Sequence, residues 1–93
     1  MVAATPVKLF AEFMGSVALM LSILASGGNF LIIGATLAVL VFLIGGISGA
    51  FFNPAVSAGF YYSGTLNGSM FLMYSIAQIL GGLSAVYAYR IVA

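Results

Sequence analysis

The apolar positions of this chain form three long runs and one short one. The long runs cover about residues 7–25, 30–47 and 70–90, and each reaches the roughly 17–25 residues that a membrane-spanning helix needs. Residues 26–29, Ser-Gly-Gly-Asn, join the first two runs and contain only turn-forming types. The pattern therefore predicts three transmembrane helices and no strand.

The beginning of the first run allows two interpretations. Thr5 and Pro6 suit an N-cap and a first helical position, where a missing N–H costs nothing. A secretory signal peptide is the competing interpretation, with Lys8 closing its positive region. Glu12 lies inside the apolar run, however, and an acidic residue there argues against a signal peptide. We therefore expect this run to be a transmembrane helix.

The short run lies within residues 48–62. Asn53 offers an N-cap, Pro54 suits the first helical position, and residues 55–62 continue for about two apolar turns. This helix is too short to span a bilayer, and irregular backbone at membrane depth must be buried in protein or line a water-filled path. The sequence therefore predicts a re-entrant loop and half-helix. The alternative is that Asn-Pro begins an ordinary surface helix.

Composition excludes most other classes of protein. Of 93 residues, 65% are hydrophobic and 3% are charged, whereas a soluble domain has about 25% charged residues. The sequence has no Cys, no His and one carboxylate. These counts exclude a disulfide framework, paired-carboxylate catalysis and a basic nucleic-acid surface. We expect an integral membrane protein in the lipid bilayer that is not an enzyme and holds no metal or cofactor.

The start of the predicted half-helix has the chemistry of a permeation path. A helix N-terminus carries roughly half a positive charge and unpaired N–H groups, and the Asn53 side chain can donate to a passing oxygen. The carbonyls of residues 49–52, in extended backbone, can accept hydrogen bonds on the approach to it. Such donors and acceptors in a narrow apolar path give selectivity for water or small neutral solutes.

Three segments together resemble the aquaporin and glycerol-facilitator family. Residues 47–57, Ile-Ser-Gly-Ala-Phe-Phe-Asn-Pro-Ala-Val-Ser, are similar to its first pore loop. Residues 11–15, Ala-Glu-Phe-Met-Gly, and 77–82, Ala-Gln-Ile-Leu-Gly-Gly, are similar to signatures of its first and third helices. The resemblance covers about residues 7–92. It implies an all-α membrane fold in which residues 1–93 form one half of an aquaporin-like barrel, with three transmembrane helices and one re-entrant half-helix.

The resemblance assigns pore roles to the loop. Asn53 is the expected pore asparagine, and Pro54 and Ala55 complete its motif. The carbonyls expected to line the path are those of Gly49, Ala50, Phe51 and Phe52. The family usually has His where this chain has Phe51, so the pore wall loses a polar side chain.

Two further roles follow from position. Glu12 is expected to brace the re-entrant loop, because a buried carboxylate needs hydrogen-bond donors. The alternative places Glu12 at the membrane interface near Lys8. Ile33 stands where the family has a bulky, usually aromatic, filter residue in its second helix. Packing against lipid or core is an equal alternative for Ile33.

The resemblance also implies a missing half. Chains of the family contain two such units in inverted orientation, whereas this sequence has one Asn-Pro-Ala. The second motif and the outer-filter arginine are absent, and Arg90 does not match that arginine by motif. We expect an inverted second copy to complete the pore, because Lys8 and Arg90 give the positive-inside rule one charge on each side. A separate chain is the alternative source.

Small residues spaced for close helix packing lie on three helix faces: Ala11 and Gly15, Gly81 and Ala85, and Ser84 and Ala88. They serve either contacts between copies or packing within the unit. The sequence therefore supports two functional hypotheses. The first is a passive channel for water or a small neutral solute, built as an antiparallel homo-oligomer whose pores cluster further, as family members form tetramers. The second is a non-conducting structural subunit of a larger membrane assembly.

Overall fold

A computed structural model describes residues 3–93, and this part of the chain contains four helices and no strand. They are α1 (Thr5–Ser26), α2 (Phe30–Ser48), α3 (Pro54–Tyr62) and α4 (Gly68–Val92). Helices α1, α2 and α4 are long and apolar enough to cross a membrane. The unit is 39 Å long, more than the hydrocarbon thickness of about 30 Å. The predicted all-α membrane fold is confirmed.

Asparagine caps fix where three of the helices begin. Asn29 accepts hydrogen bonds from two backbone N–H groups in the first turn of α2, at 3.0 and 3.1 Å. Asn67 accepts from one in the first turn of α4, at 2.8 Å. Because Asn67 caps it, α4 begins at Gly68, two residues before the predicted run. Asn53 caps α3 in the same way.

The predicted N-cap of α1 was wrong. Ala4 is the N-cap, in extended backbone and without a side-chain hydrogen bond, and Thr5 and Pro6 lie inside the first turn. Proline is tolerated in that turn because its N–H would have no helical partner. The end of α1 is set by Gly27, which adopts φ 66° in the left-handed region.

Helices α1 and α4 form the most extensive helix contact of the described residues. A Cβ added to Gly81 would lie 2.6 Å from the backbone oxygen of Phe13, so only glycine allows this distance between the two backbones. The small residues buried around this contact are Ala11, Gly15, Gly81 and Ala85. Two of the three small faces therefore pack within the unit, while Ser84 and Ala88 on α4 are exposed.

Helix α2 lies at the outside of the unit. It packs against α1, and Ser48 at its last position is its buried residue. Its large apolar side chains, such as Phe30 and Phe42, are exposed. An apolar helix surface of this extent requires hydrocarbon or another protein around it.

Helix α3 is a half-helix in length. Its nine residues rise about 13 Å, less than half of the hydrocarbon thickness. Residues 49–53 lead from the end of α2 to the start of α3, and α3 packs against α4. Ser57 is its buried residue.

Candidate functional site

A buried carboxylate lies at the centre of the unit. Glu12 is fully buried. Its Oε2 accepts hydrogen bonds from Ser48 Oγ at 2.7 Å and from the backbone N–H of Phe51 at 3.1 Å. Its Oε1 accepts from the backbone N–H of Phe52 at 2.8 Å and from Gln78 Nε2 at 2.9 Å. Four neutral donors thus replace the water that the carboxylate gives up on burial.

These donors tie together parts of the chain that are distant in sequence. Ser48 ends α2, Phe51 and Phe52 belong to the loop before α3, and Gln78 lies on α4. The sequence alternative that places Glu12 at a wet interface does not agree with this geometry. Tyr74, also on α4 and nearly fully buried, adds a hydrogen bond from its hydroxyl to the Ser48 carbonyl at 2.7 Å.

The hydrogen bonds to Glu12 also orient the loop carbonyls. In a trans peptide the N–H and the preceding C=O point in opposite directions. Since the N–H groups of Phe51 and Phe52 point at Glu12, the carbonyls of Ala50 and Phe51 point away from it. The Phe52 carbonyl is different, because Ser16 Oγ lies 3.5 Å from it and donates a long hydrogen bond.

Two loop residues adopt a conformation that is costly for side chains with a Cβ. Ala50 has φ 55° and Phe52 has φ 51°, and the left-handed region costs such residues roughly 1–2 kcal/mol each. Ser48 Oγ accepts from the Ala50 N–H at 3.2 Å. The Phe52 ring occupies the space over Gly15, where an added Cβ would lie 2.0 Å from the ring. Hydrogen bonding and packing together maintain the strained loop.

The loop leads to Asn53, which is exposed. Its Oδ1 accepts a hydrogen bond from the Ala55 N–H at 2.8 Å, and Pro54 stands in the first turn of α3. The cap uses the side-chain oxygen, so the amide NH₂ group is left to donate elsewhere. The asparagine, the helix N-terminus and the loop carbonyls are thereby brought together at the start of α3.

Phe51 makes aromatic contacts in place of polar ones. Its ring stacks on Phe60 of α3 with centroids 4.3 Å apart and planes within 8°. It is also tilted against Tyr74, at 5.6 Å. A Cβ on Gly49 would lie 2.5 Å from the Phe51 ring, so this ring position depends on glycine. These contacts fix the side chain at the position where the resemblance expects a polar residue.

The structure does not bring Ile33 into this group. It is half-buried in the first turn of α2, about 22 Å along the helix axis from Ser48. Lys8 lies nearer, lining a cleft of about 310 Å³ together with Ser48, Phe51 and Tyr74. Ile33 and Ser48 therefore lie near opposite ends of α2, and the filter role of Ile33 stays a prediction.

Sequence reasoning gave no role to several residues of the network. Tyr74 was given no role in the site, and Ser48, Ser57 and Gln78 entered only as parts of quoted motifs. Gln78 Nε2 also donates to Ser57 Oγ at 2.8 Å, and Ser57 Oγ donates to Gln78 Oε1 at 3.1 Å. Their position within apolar runs could have indicated a role, because polar side chains inside transmembrane segments usually have a hydrogen-bonding partner or a function.

Comparison with known proteins identifies relatives of this chain. The model of the family described as major intrinsic protein matches residues 27–93. Aquaporin Z of Brucella melitensis is 35% identical over 92% of this chain and 44% of its own length. Aquaglyceroporin AqpS of Rhizobium meliloti is 46% identical over 66% of this chain and 26% of its own.

A plant protein matches over a shorter stretch. The probable aquaporin PIP2-7 of Oryza sativa is 41% identical over 55% of this chain and 18% of its own length. The chain thus spans less than half the length of each of these three relatives. No solved structure matches it significantly.

Proposed function

We propose that this chain, which belongs to the major intrinsic protein family, supplies one half of a passive membrane channel for water or a small neutral solute. The observation that carries the proposal is the position of Asn53. Its amide stands exposed at the start of α3, and the loop before it is hydrogen-bonded to the buried Glu12. A polar group held in this way inside a membrane protein is expected to serve permeation.

The proposed path offers acceptors first and donors afterwards. A water molecule would donate to the carbonyls of Ala50 and Phe51, which point away from Glu12. It would then turn its oxygen towards the Asn53 NH₂ group and the N-terminus of α3. That helix end carries roughly half a positive charge. The reversal interrupts a continuous chain of similarly oriented waters, and the charge repels cations, so proton and cation passage is opposed.

Most polar side chains around the loop are engaged in the hydrogen-bond network of Glu12 and are not available to a permeating molecule. Glu12, Gln78, Ser57, Ser48 and Tyr74 are all buried and bonded to one another or to the loop. The cleft beside the loop contains Lys8 and Thr65 together with apolar groups, among them the Phe51 ring stacked on Phe60. Few polar partners favour fast passage of a neutral molecule over tight binding.

We further propose that an inverted second copy supplies the other wall of the pore. One half-helix leaves its polar end uncovered, and backbone at membrane depth must be enclosed. Inverted pairs of half-helices meeting at the midplane are a recurrent solution. The exposed small face of Ser84 and Ala88 on α4 is suited to close contact with another helix. Lys8 and Arg90 give neither orientation an advantage in charge.

One observation favours a second candidate, a non-conducting structural subunit. The stack of Phe51 on Phe60 puts an apolar ring where the family usually has a polar side chain. An apolar constriction can exclude water. In that case the network around Glu12 would serve folding alone.

Reconstitution of the purified chain in liposomes tests the proposal. We expect osmotic water or glycerol equilibration to be faster than in protein-free vesicles of the same lipid and size, in proportion to the amount of folded protein. Proton leak should stay at the protein-free level. Equilibration at the protein-free rate for both solutes would reject the channel and leave the structural subunit.

A further inference from the structure

Ser57 is unusual among the residues of α3. It is fully buried, while the other side chains of this nine-residue helix are apolar or exposed. Its Oγ contacts both polar atoms of Gln78, at 2.8 Å from Nε2 and 3.1 Å from Oε1. Gln78 is itself almost fully buried, at 3% exposure. This side-chain pair therefore joins the half-helix to the membrane-spanning helix α4.

Each residue of the Ser57–Gln78 pair makes a further hydrogen bond. On one side, Gln78 Nε2 also donates to Glu12 Oε1 at 2.9 Å. On the other, the Ser57 backbone N–H donates to the Asn53 carbonyl at 3.0 Å, one helical turn back. A continuous set of hydrogen bonds thus runs from Glu12 through Gln78 and Ser57 to Asn53.

Glu12 consequently holds Asn53 from two sides. Directly before Asn53, the Phe52 N–H donates to the same Oε1 atom at 2.8 Å. One turn after Asn53, Ser57 is held through Gln78. These two contacts, at Phe52 and Ser57, determine both the position of Asn53 along the path and the rotation of α3, which begins there. The loop contact alone would fix that rotation less closely.

From this we propose that Ser57 and Gln78 are positioning residues for the Asn53 amide, setting the direction of its NH₂ group in the path. The inference rests on the proposed channel function. Without the Ser57 hydroxyl the half-helix still packs on α4, and the Phe51–Phe60 stack still holds it to the loop. Its rotation is then less closely restricted, so the Asn53 amide is less well aligned with passing water.

The diagnostic quantity is the proton leak above that of protein-free vesicles, divided by the water flux above that of the same vesicles. A purely structural role would change only the amount of folded channel and would leave this ratio unchanged. We expect Ser57→Ala to raise this ratio about fivefold, the size of effect that one hydrogen bond gives. Ser57→Thr keeps the hydroxyl and should restore the ratio towards that of the unsubstituted chain. Gln78→Leu should raise the ratio as Ser57→Ala does, and the two together should not add, because both remove the same link.

Ser75→Ala is a matched control on α4. The Ser75 hydroxyl is buried, and it has no hydrogen-bond partner within the described residues. Its removal should leave the ratio unchanged. If Ser57→Ala does not incorporate as folded protein, Ser57→Cys replaces it, since a thiol fills the space of the hydroxyl but is only a weak donor.

The outcomes separate the two proposals. An unchanged ratio in Ser57→Ala, or a loss of flux proportional only to folded protein, would overturn the positioning role while leaving the channel intact. A chain that does not conduct even without substitution would reject the channel function, and the positioning role with it, before any variant is examined. A raised ratio that Ser57→Thr reverses, with Ser75→Ala unaffected, would support the proposal.

Discussion

The carboxylate of Glu12 accepts a hydrogen bond at 2.8 Å from the backbone N–H of Phe52, forty residues later in the chain. This bond joins α1, about two turns from its start at Thr5, to the residue directly before Asn53. It also fixes the direction of the Phe51 carbonyl, which shares that peptide unit. A single acid in an otherwise almost uncharged chain thus determines the geometry of the loop.

Replacement of Glu12 should affect stability according to the acceptors that remain. Glu12→Leu leaves four donors without this acceptor, three of them buried, at roughly 1–3 kcal/mol for each buried one. Glu12→Gln keeps one acceptor oxygen, although its NH₂ group faces the other donors. We therefore expect Glu12→Gln to unfold at a higher temperature than Glu12→Leu in detergent. Equal thermal stability of the two variants would contradict burial of the carboxylate in this network.

Asn53→Asp separates capping from donation. A carboxylate still accepts from the Ala55 N–H and suits a helix N-terminus, so thermal stability should change little. The NH₂ donor is lost and a negative charge is added, so we expect lower water flux or weaker exclusion of protons and cations. Asn67→Asp is the matched control, because Asn67 caps α4 in the same way outside the site. Similar permeation in both variants would remove Asn53 from the path.

Gly15→Ala tests the packing of the strained loop. The new Cβ would lie 2.0 Å from the Phe52 ring, so ring and loop must move, at a cost of about 1–3 kcal/mol. Gly34→Ala on α2 is the control, since nothing lies within 4 Å of a Cβ there. Alanine is favoured over glycine in a helix by about 1 kcal/mol. The two variants should therefore shift the unfolding midpoint in opposite directions, and a neutral Gly15→Ala would show that the loop accommodates the methyl group.

Phe51→His tests the aromatic stack. We expect lower stability, by about 1 kcal/mol for the lost aromatic pair, together with higher water flux, because a polar side chain replaces an apolar ring. Phe60→Leu breaks the same stack without adding a polar group, and it should lower stability without raising flux. If both variants conduct equally well, polarity at residue 51 does not limit permeation.

Much of the fold follows from local features of the sequence. The lengths of the apolar runs predict the three long helices, and Asn53 predicts the start of α3, because span length and capping depend on neighbouring residues. The caps at Asn29 and Asn67 were not predicted. The start of α1 was mispredicted, since Ala4 in extended backbone takes the cap position without a side-chain hydrogen bond. Such a cap leaves no sequence signal.

The site was only partly predictable. An acid inside an apolar run predicts burial, and Asn-Pro predicts a helix start, and both local features are present at Glu12 and Asn53. The pore role of Asn53 stays a prediction. Their link through Gln78 and Ser57 depends on how α3 lies against α4, which spacing along the chain does not reveal. In the same way, periodicity alone could not separate the small face buried at Gly81 and Ala85 from the exposed one at Ser84 and Ala88.

Flux through orientation-locked copies tests the central claim most directly. Two or three Lys added beside Met1 should hold that end on one side of the membrane, and the same number added after Ala93 should hold the other. We predict that each locked form alone gives no osmotic flux above protein-free vesicles, and that the two forms inserted together restore it. Full flux from one locked form, with every N-terminus mapped to the same side, would contradict the inverted pair. No flux from the mixture, with both forms folded and oppositely inserted, would contradict it equally.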